Sequence, residues 1–178
     1  MTRKRVASLV TAAVLVPVLV VGLALFQPWR LFTHKTVNEA LPEVIAPVAS
    51  LAPSGTGAVP AAPKPGPVTL ASGVFRSGEH HTSGTASVIR LADGSRFVRL
   101  TDFDTSDGPD VHVILSDQPA GSSDHAVDKG RYVKLGKLKG TRGNQNYPIP
   151  AGADLTQFAS VVIWCDRFNA TFGSADLN

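Results

Sequence analysis

The apolar run at residues 6–26, VASLVTAAVLVPVLVVGLALF, constrains the fold of this chain more than any other feature. No charged side chain interrupts it, and it directly follows Arg3, Lys4 and Arg5. A helix that crosses a bilayer needs about 20 mostly apolar residues, because the hydrocarbon core is about 30 Å thick. Basic residues flanking a span stay on the cytoplasmic side. The sequence therefore predicts a single-pass plasma-membrane protein with a cytoplasmic N-terminus and an extracytoplasmic C-terminal domain.

A cleaved signal peptide is the alternative explanation of this run. Its apolar region is shorter, about 7–15 residues, and it ends in small residues. Here the run ends in Leu25 and Phe26, which are poor neighbours for a cleavage site. Trp29 and Phe32, with Arg30 beside them, suit the interface between bilayer and water. We therefore expect a retained signal anchor, with cleavage as the alternative.

Charge and cysteine content narrow the class of partner. The chain has 17 basic and 14 acidic residues, and the three basic residues before the apolar run account for the difference. The exported part is therefore close to neutral, and nucleic-acid binding has no support. Cys165 is the only cysteine, so no internal disulfide can form. An odd exported thiol is buried and inert, bridged to another chain, or reactive or metal-binding.

Composition divides the chain into three parts. Residues 1–26 form the basic tail and anchor, 27–70 a juxtamembrane segment with a Pro/Ala-rich linker, and 71–178 a folded domain. The linker contains seven prolines between Pro42 and Pro67 and reads as a semi-rigid extended stalk. Before it, Thr36 and Glu39 have the spacing of a capping box, which can open a short helical turn.

The folded part has a β pattern, in which short runs rich in Val, Ile, Thr and Phe alternate with turn residues. The predicted strands are Ser72–Ser77, Ser83–Leu91, Phe97–Phe103, Val111–Ser116, Arg131–Lys134, Gln145–Ile149, Val161–Cys165 and Phe168–Phe172. Asp93-Gly94 predicts a hairpin between the second and third strands. Leu155–Phe158, after Asp154, can form one helical turn. This pattern predicts an all-β domain, an antiparallel β-sandwich or a barrel-like fold.

Alternation within the strands predicts which side chains face the core. The residues placed inward are Val111, Val113, Leu115, Phe168, Ala170 and Phe172. His112 and Ile114 point the other way. The run Val161–Trp164 is apolar on both faces, which predicts a central strand covered on both sides.

No catalytic motif assigns an enzyme class, because a nucleophile elbow, a phosphate-binding glycine loop and a zinc-protease helix motif are all missing from the sequence. Four aspartates lie close together, and they can either ligate calcium or shape a strand-to-strand turn. These are Asp102, Asp104, Asp107 and Asp110. His80, His81, His112 and His125 are each interpreted first as surface or turn residues. His112 and Cys165 are a second metal hypothesis if their strands pair, although a blue-copper centre also needs another His and a weak axial ligand.

Motifs from Gly73 to Leu177 carry a family resemblance. They are Gly73-x-Phe75, His81, Gly84-x-Ala86, Leu100-x-x-Phe103, Gly108-Pro109-Asp110-Val111-x-Val113-x-Leu115, Leu135-Gly136-x-Leu138-Lys139-Gly140, Gly143-Asn144-Gln145-x-Tyr147-x-Ile149-Pro150, Val161-Val162-Ile163-Trp164-Cys165-x-x-Phe168 and Phe172-Gly173-x-Ala175-x-Leu177. With these motifs the segment resembles the DM-thirteen, or electron-transfer DM, domain family.

The resemblance implies an extracytoplasmic β-sandwich in which Cys165 occupies the position of the family's proposed redox cysteine. Members often accompany DOMON-type domains, which bind haem or sugar, and no such domain is present in this chain. The cofactor is unassigned, and one expectation from the resemblance is a haem or metal supplied by a partner protein. The leading hypothesis is a membrane-anchored redox or electron-transfer domain acting through Cys165. The alternatives are a non-enzymatic cell-envelope interaction module and a covalent dimer through Cys165.

Overall fold

The computed structural model of the chain describes residues 34–42 and 66–178, together with Pro17. Apart from Pro17, the predicted anchor lies outside the described residues, as does most of the predicted stalk. Within the described residues, no helix combines the length and apolar character that a membrane span requires.

Two five-stranded sheets make up the described fold. The first sheet runs in the order β1 (Thr36–Asn38), β8 (Arg142–Ile149), β5 (Arg96–Thr105), β4 (Thr82–Arg90), β2 (Val68–Val74). The second runs β3 (Arg76–Ser77), β10 (Ala170–Asp176), β9 (Ser160–Cys165), β6 (Val111–Ser116), β7 (Tyr132–Lys137). All neighbouring strands are antiparallel except β1 and β8, which are parallel. The helical elements are α1 (Asp124–Lys129) and a 3-10 turn, Leu155–Gln157.

The main core lies between the two sheets. The first sheet contributes Ala86, Val88, Val98, Leu100, Phe103, Tyr147 and Ile149. The second contributes Val111, Val113, Leu115, Val161, Ile163, Cys165, Phe172 and Ala175. The inward face predicted for Val111, Val113 and Leu115 is confirmed, as is an all-β sandwich.

Strand β9 is central and covered on both faces, as predicted from its apolar run. It pairs with β6 on one side and β10 on the other. Its outer face packs Val162 and Trp164 with Ile114 and with Val127 of α1. No pattern in the sequence predicts α1, because the helix buries only Val127 and shows no helical repeat. Its N-cap is Ser123, whose side chain accepts a hydrogen bond from the Ala126 N–H.

Two of the three local turns predicted from sequence are present. Gly94 has φ +85°, and Asp93 accepts hydrogen bonds from the backbone N–H and the hydroxyl of Ser95 at 2.9 and 2.6 Å. This closes the hairpin between β4 and β5, because an Asp-Gly pair tolerates the positive φ that the turn needs. The 3-10 turn starts after Asp154, whose side chain accepts a hydrogen bond from the Thr156 N–H.

Two sequence predictions are wrong. Phe168 is 61% exposed in the turn before β10, which begins only at Ala170, so Phe168 does not face the core. Thr36–Asn38 forms strand β1 and not a helical turn. The Glu39 carboxylate, which would have completed a capping box, instead binds Lys139 and the Asn146 N–H. Tertiary pairing with β8 thus overrides the local helical signal.

Candidate functional site

The candidate site lies where β6 begins and β9 ends. The two strands pair antiparallel, with Val111 opposite Cys165 and His112 opposite Trp164. The Asp166 N–H continues the ladder and donates to the Asp110 carbonyl at 3.0 Å. Successive side chains of a strand point to opposite faces. The three predicted site residues at this corner, Asp110, His112 and Cys165, are therefore divided between the two faces of the sheet.

Cys165 lies on the inner surface. It is 0% exposed and belongs to the core between the sheets. Its cross-strand neighbours are Val111 on β6 and Ala170 on β10. The thiol is free. A sulfur enclosed in this way behaves as a small apolar side chain while the sandwich stays closed.

His112 lies on the outer surface, next to Trp164 in register. Its strand does pair with that of Cys165, as the metal hypothesis required. However, the register places the imidazole and the thiol on opposite faces of the sheet. The structure therefore does not bring His112 and Cys165 together as joint ligands.

The outer surface instead brings His112 between two carboxylates. His112 Nε2 lies 3.0 Å from Asp110 Oδ1 and 3.4 Å from Asp166 Oδ2. Sequence reasoning named Asp110 and His112 as separate candidates and missed Asp166 as their partner. Asp110 immediately precedes β6 and lies two residues before His112, a spacing that places both side chains on one face of an extended chain. Asp166 needs the β6–β9 register, which the sequence does not specify.

Two lysines from β7 complete this outer cluster. Lys134 Nζ lies 2.5 Å from Asp166 Oδ2, and Lys137 Nζ lies 3.0 Å from Asp110 Oδ1. Hydrogen bonds from Lys137 and then from His112 lower the pKa of Asp110. The hydrogen bond to Asp166 raises the pKa of Lys134. The Asp110 carboxylate is thus held ionised beside the ammonium group of Lys137.

Among the described residues, Asp110, His112 and Asp166 are the one group placed to share a metal ion. Their ligand atoms lie within 4.8 Å of one another. One imidazole nitrogen with two carboxylate oxygens suits a divalent ion such as Zn²⁺ or Mn²⁺. The same two oxygens already bind Lys134 and Lys137, so a metal would have to displace both ammonium groups. The cluster is therefore an ion-pair network in which each carboxylate is already paired with a lysine.

The other three aspartates of the calcium hypothesis are not part of this outer cluster. Asp104 pairs with Arg142 Nε at 3.0 Å. Asp107 accepts a hydrogen bond from the Gly108 N–H at 2.9 Å. Asp102 is exposed with φ +48°. The structure does not gather the four carboxylates around one point.

The remaining predicted histidines also lie apart from this corner. His80 Nδ1 is 2.8 Å from Ser106 Oγ, and its ring centroid is 3.9 Å from that of Phe172. His81 and His125 are exposed. These positions agree with the surface or turn roles expected for them.

Comparison with known proteins identifies the folded part of the chain. No curated protein and no solved structure matches it. The family described as electron transfer DM13 matches residues 74–177. This range includes both surfaces of the β6–β9 corner, and it confirms the resemblance drawn from the sequence motifs. The chain belongs to the electron transfer DM13 family.

Proposed function

We propose that this protein is a membrane-anchored, extracytoplasmic electron-transfer domain whose redox group is the thiol of Cys165. The family match supports an electron-transfer-related role. The observation that carries the proposal is the position of Cys165. The only thiol of the chain ends the central strand β9, inside the matched range.

Burial limits how this thiol can react. A disulfide bond brings two sulfurs to about 2 Å, and a fully enclosed sulfur cannot be approached that closely. Cys165 is followed by a turn in which Phe168 is exposed and Asn169 has φ +52°. A strained, exposed turn opens at lower cost than the core does. We therefore propose that local opening of residues 166–169 exposes the sulfur to a partner protein.

Anchoring is the second part of the proposal. The uncharged run at residues 6–26 and the basic residues before it support a single span with the domain outside the cytoplasm. A reporter fused to the C-terminus tests the orientation. We expect signal from a reporter that is active outside the cytoplasm, and signal from one active only in the cytosol would contradict it.

Redox titration of the full chain tests the role of Cys165. In a buffer of oxidised and reduced glutathione, the Cys165 thiolate should attack the disulfide, form one mixed disulfide per chain and release one glutathione thiol. We expect this single redox transition in the parent protein, and its loss in both Cys165→Ser and Cys165→Ala. Near-ultraviolet circular dichroism serves as the folding control for the variants. A parent protein that shows no transition, or a transition that survives in both variants, would contradict the role.

The sealed position of Cys165 also favours a second candidate, a non-enzymatic cell-envelope interaction module. In that case Cys165 only packs in the core, and the partner binds to the outer surface of the sandwich. Crosslinking in intact cells tests this candidate. It predicts a specific envelope protein or glycan crosslinked equally well to the parent and to Cys165→Ala.

A further inference from the structure

Residues Lys35–Ala40, here called the docking segment, bind along the free edge of β8. They come before the range matched by the family. Thr36, Val37 and Asn38 pair in parallel with Arg142, Gly143 and Asn144. The Lys35 carbonyl accepts a hydrogen bond from the Arg142 N–H at 3.1 Å, and the Glu39 N–H donates to the Asn144 carbonyl at 2.8 Å. The chain thus adds its own strand to the sheet.

Two glycines shape the edge that receives this segment. A side chain at Gly140 would meet the Lys35 carbonyl oxygen at 2.5 Å. A side chain at Gly143 would collide with the carbonyl oxygen of Val37, and Gly143 also has φ +97°. Glycine allows both the close approach and the positive φ. The edge of β8 is therefore fitted to the backbone of the docking segment.

Polar contacts fix the end of the docking segment. Lys139 Nζ lies 2.8 and 2.9 Å from the two carboxylate oxygens of Glu39, and the Asn146 N–H donates to one of them at 2.7 Å. The Asn146 side-chain amide donates to the Ala40 carbonyl at 2.7 Å. Charge-assisted bonds of this kind are about twice as strong as neutral ones. This contact has the character of a specific docking site.

The position of the docking segment decides where the domain lies relative to the membrane. Residues 27–34 separate it from the predicted span, and a chain of that length reaches at most about 30 Å. Residues 43–65 then connect the docking segment at one edge of the first sheet to β2 at the other. Four strand spacings of about 4.8 Å separate those edges. The proline-rich segment therefore leaves and rejoins the same sheet.

We propose that the docking segment holds the domain within about 30 Å of its own membrane anchor, so that the proline-rich segment is an external loop and not a spacer. The proposal rests on the anchor proposed above. It makes the β8 edge of the first sheet the side nearest the bilayer. The reach of the domain from the membrane is then set by residues 27–34.

Cleavage of the full chain in membranes tests the proposal. A protease site inserted after Gly57 cuts the proline-rich segment, and Asn38→Cys with Asn144→Cys places one thiol on each side of the β1–β8 pair. Under oxidation we expect residues 58–178 to stay in the membrane pellet after cleavage, and reductant to remove the crosslink. The single variant Asn38→Cys is the matched control. A protease site after Arg30 should release the domain in every case.

Three outcomes would overturn the proposal or its premise in distinguishable ways. Release of residues 58–178 under oxidation, without a crosslink, would mean that the segment is a spacer. A crosslink that joins two chains would mean that a second copy supplies the strand. Recovery of the uncut protein in the soluble fraction would refute the anchor, while the crosslink within one chain would still report docking.

Removal of the Glu39 carboxylate measures the strength of docking. Without oxidant, Glu39→Ala should speed release of the cleaved domain at least about tenfold, since a charge-assisted hydrogen bond is worth about 1.5–3 kcal/mol. Glu79→Ala, at an exposed glutamate between β3 and β4 and outside the docking segment, is the control and should leave the rate unchanged. Equal rates for the two variants would contradict a specific docking site.

Discussion

The inner and outer faces of the second sheet differ sharply at the β6–β9 corner, although their residues alternate along the same two strands. The inner face encloses Cys165 among apolar side chains. One residue away, the outer face holds His112 and Asp166 in a network of charges. Because side chains alternate between the two faces of a strand, the thiol lies on the opposite side of the sheet from the ionisable groups of the outer cluster. Cys165 and the outer cluster are therefore independent in chemistry even though they are neighbours in sequence.

The largest expected change in the free energy of unfolding comes from a charge placed on the inner face of the second sheet. Cys165→Asp buries a carboxylate with no partner and should cost at least about 3 kcal/mol in free energy of unfolding. Phe168→Asp, at an exposed position in the adjoining turn, is the control and should change stability by less than about 0.5 kcal/mol. Urea denaturation measures both variants. Similar stabilities would mean that Cys165 is not enclosed.

Truncation of an apolar side chain that covers the outer face should lower the free energy of unfolding by an intermediate amount. Val127 of α1 is 3% exposed and packs on Ile114, Val162 and Trp164. Val127→Ala removes two buried carbon atoms and should cost about 2 kcal/mol. His125→Ala, on the exposed side of α1, controls for effects on the helix itself. If Val127→Ala is as stable as His125→Ala, then α1 does not cover the sheet.

The charged part of the outer face predicts a small effect with a defined pH dependence. The pKa of Asp110 is lowered below its ordinary value of 3.8, so its contribution is complete above that value and disappears as the pH falls further. The pKa of Lys134 is raised above 10.5, so its contribution is complete below that value and disappears as the pH rises further.

Asp110→Asn should therefore flatten the acid side of the stability profile, and Lys134→Met the alkaline side. Each change should stay below about 1 kcal/mol, because these half-exposed groups are screened by solvent. Thermal unfolding between pH 3 and pH 11 measures both. If the acid side of the profile is unchanged in Asp110→Asn and the alkaline side is unchanged in Lys134→Met, then the network adds no stability.

Local patterns in the sequence predict much of this fold. Alternation alone places Val111 and Leu115 inward, and Asp93-Gly94 locates a hairpin, because both depend on near neighbours. The position of Asp166 beside His112 depends on which strands pair and in which register, and no local pattern encodes that. The docking of β1 on β8 joins residues that are more than one hundred positions apart, such as Asn38 and Asn144.

The location of the single thiol is likewise only partly predictable from the sequence. Its end-of-strand position follows from the apolar run Val161–Trp164. Its face follows only from the pairing of Cys165 with Val111 and Ala170. Sequence reasoning therefore leaves a joint site of Cys165 and His112 open, whereas the register places them on opposite faces.

Thiol labelling of the native protein tests the central claim most directly. With a water-soluble disulfide reagent, Cys165 in the full chain should react at least about a hundredfold more slowly under native conditions than in denaturant, because labelling must wait for local opening. One thiol per chain should react in denaturant. Equally fast labelling in both conditions would contradict an enclosed Cys165.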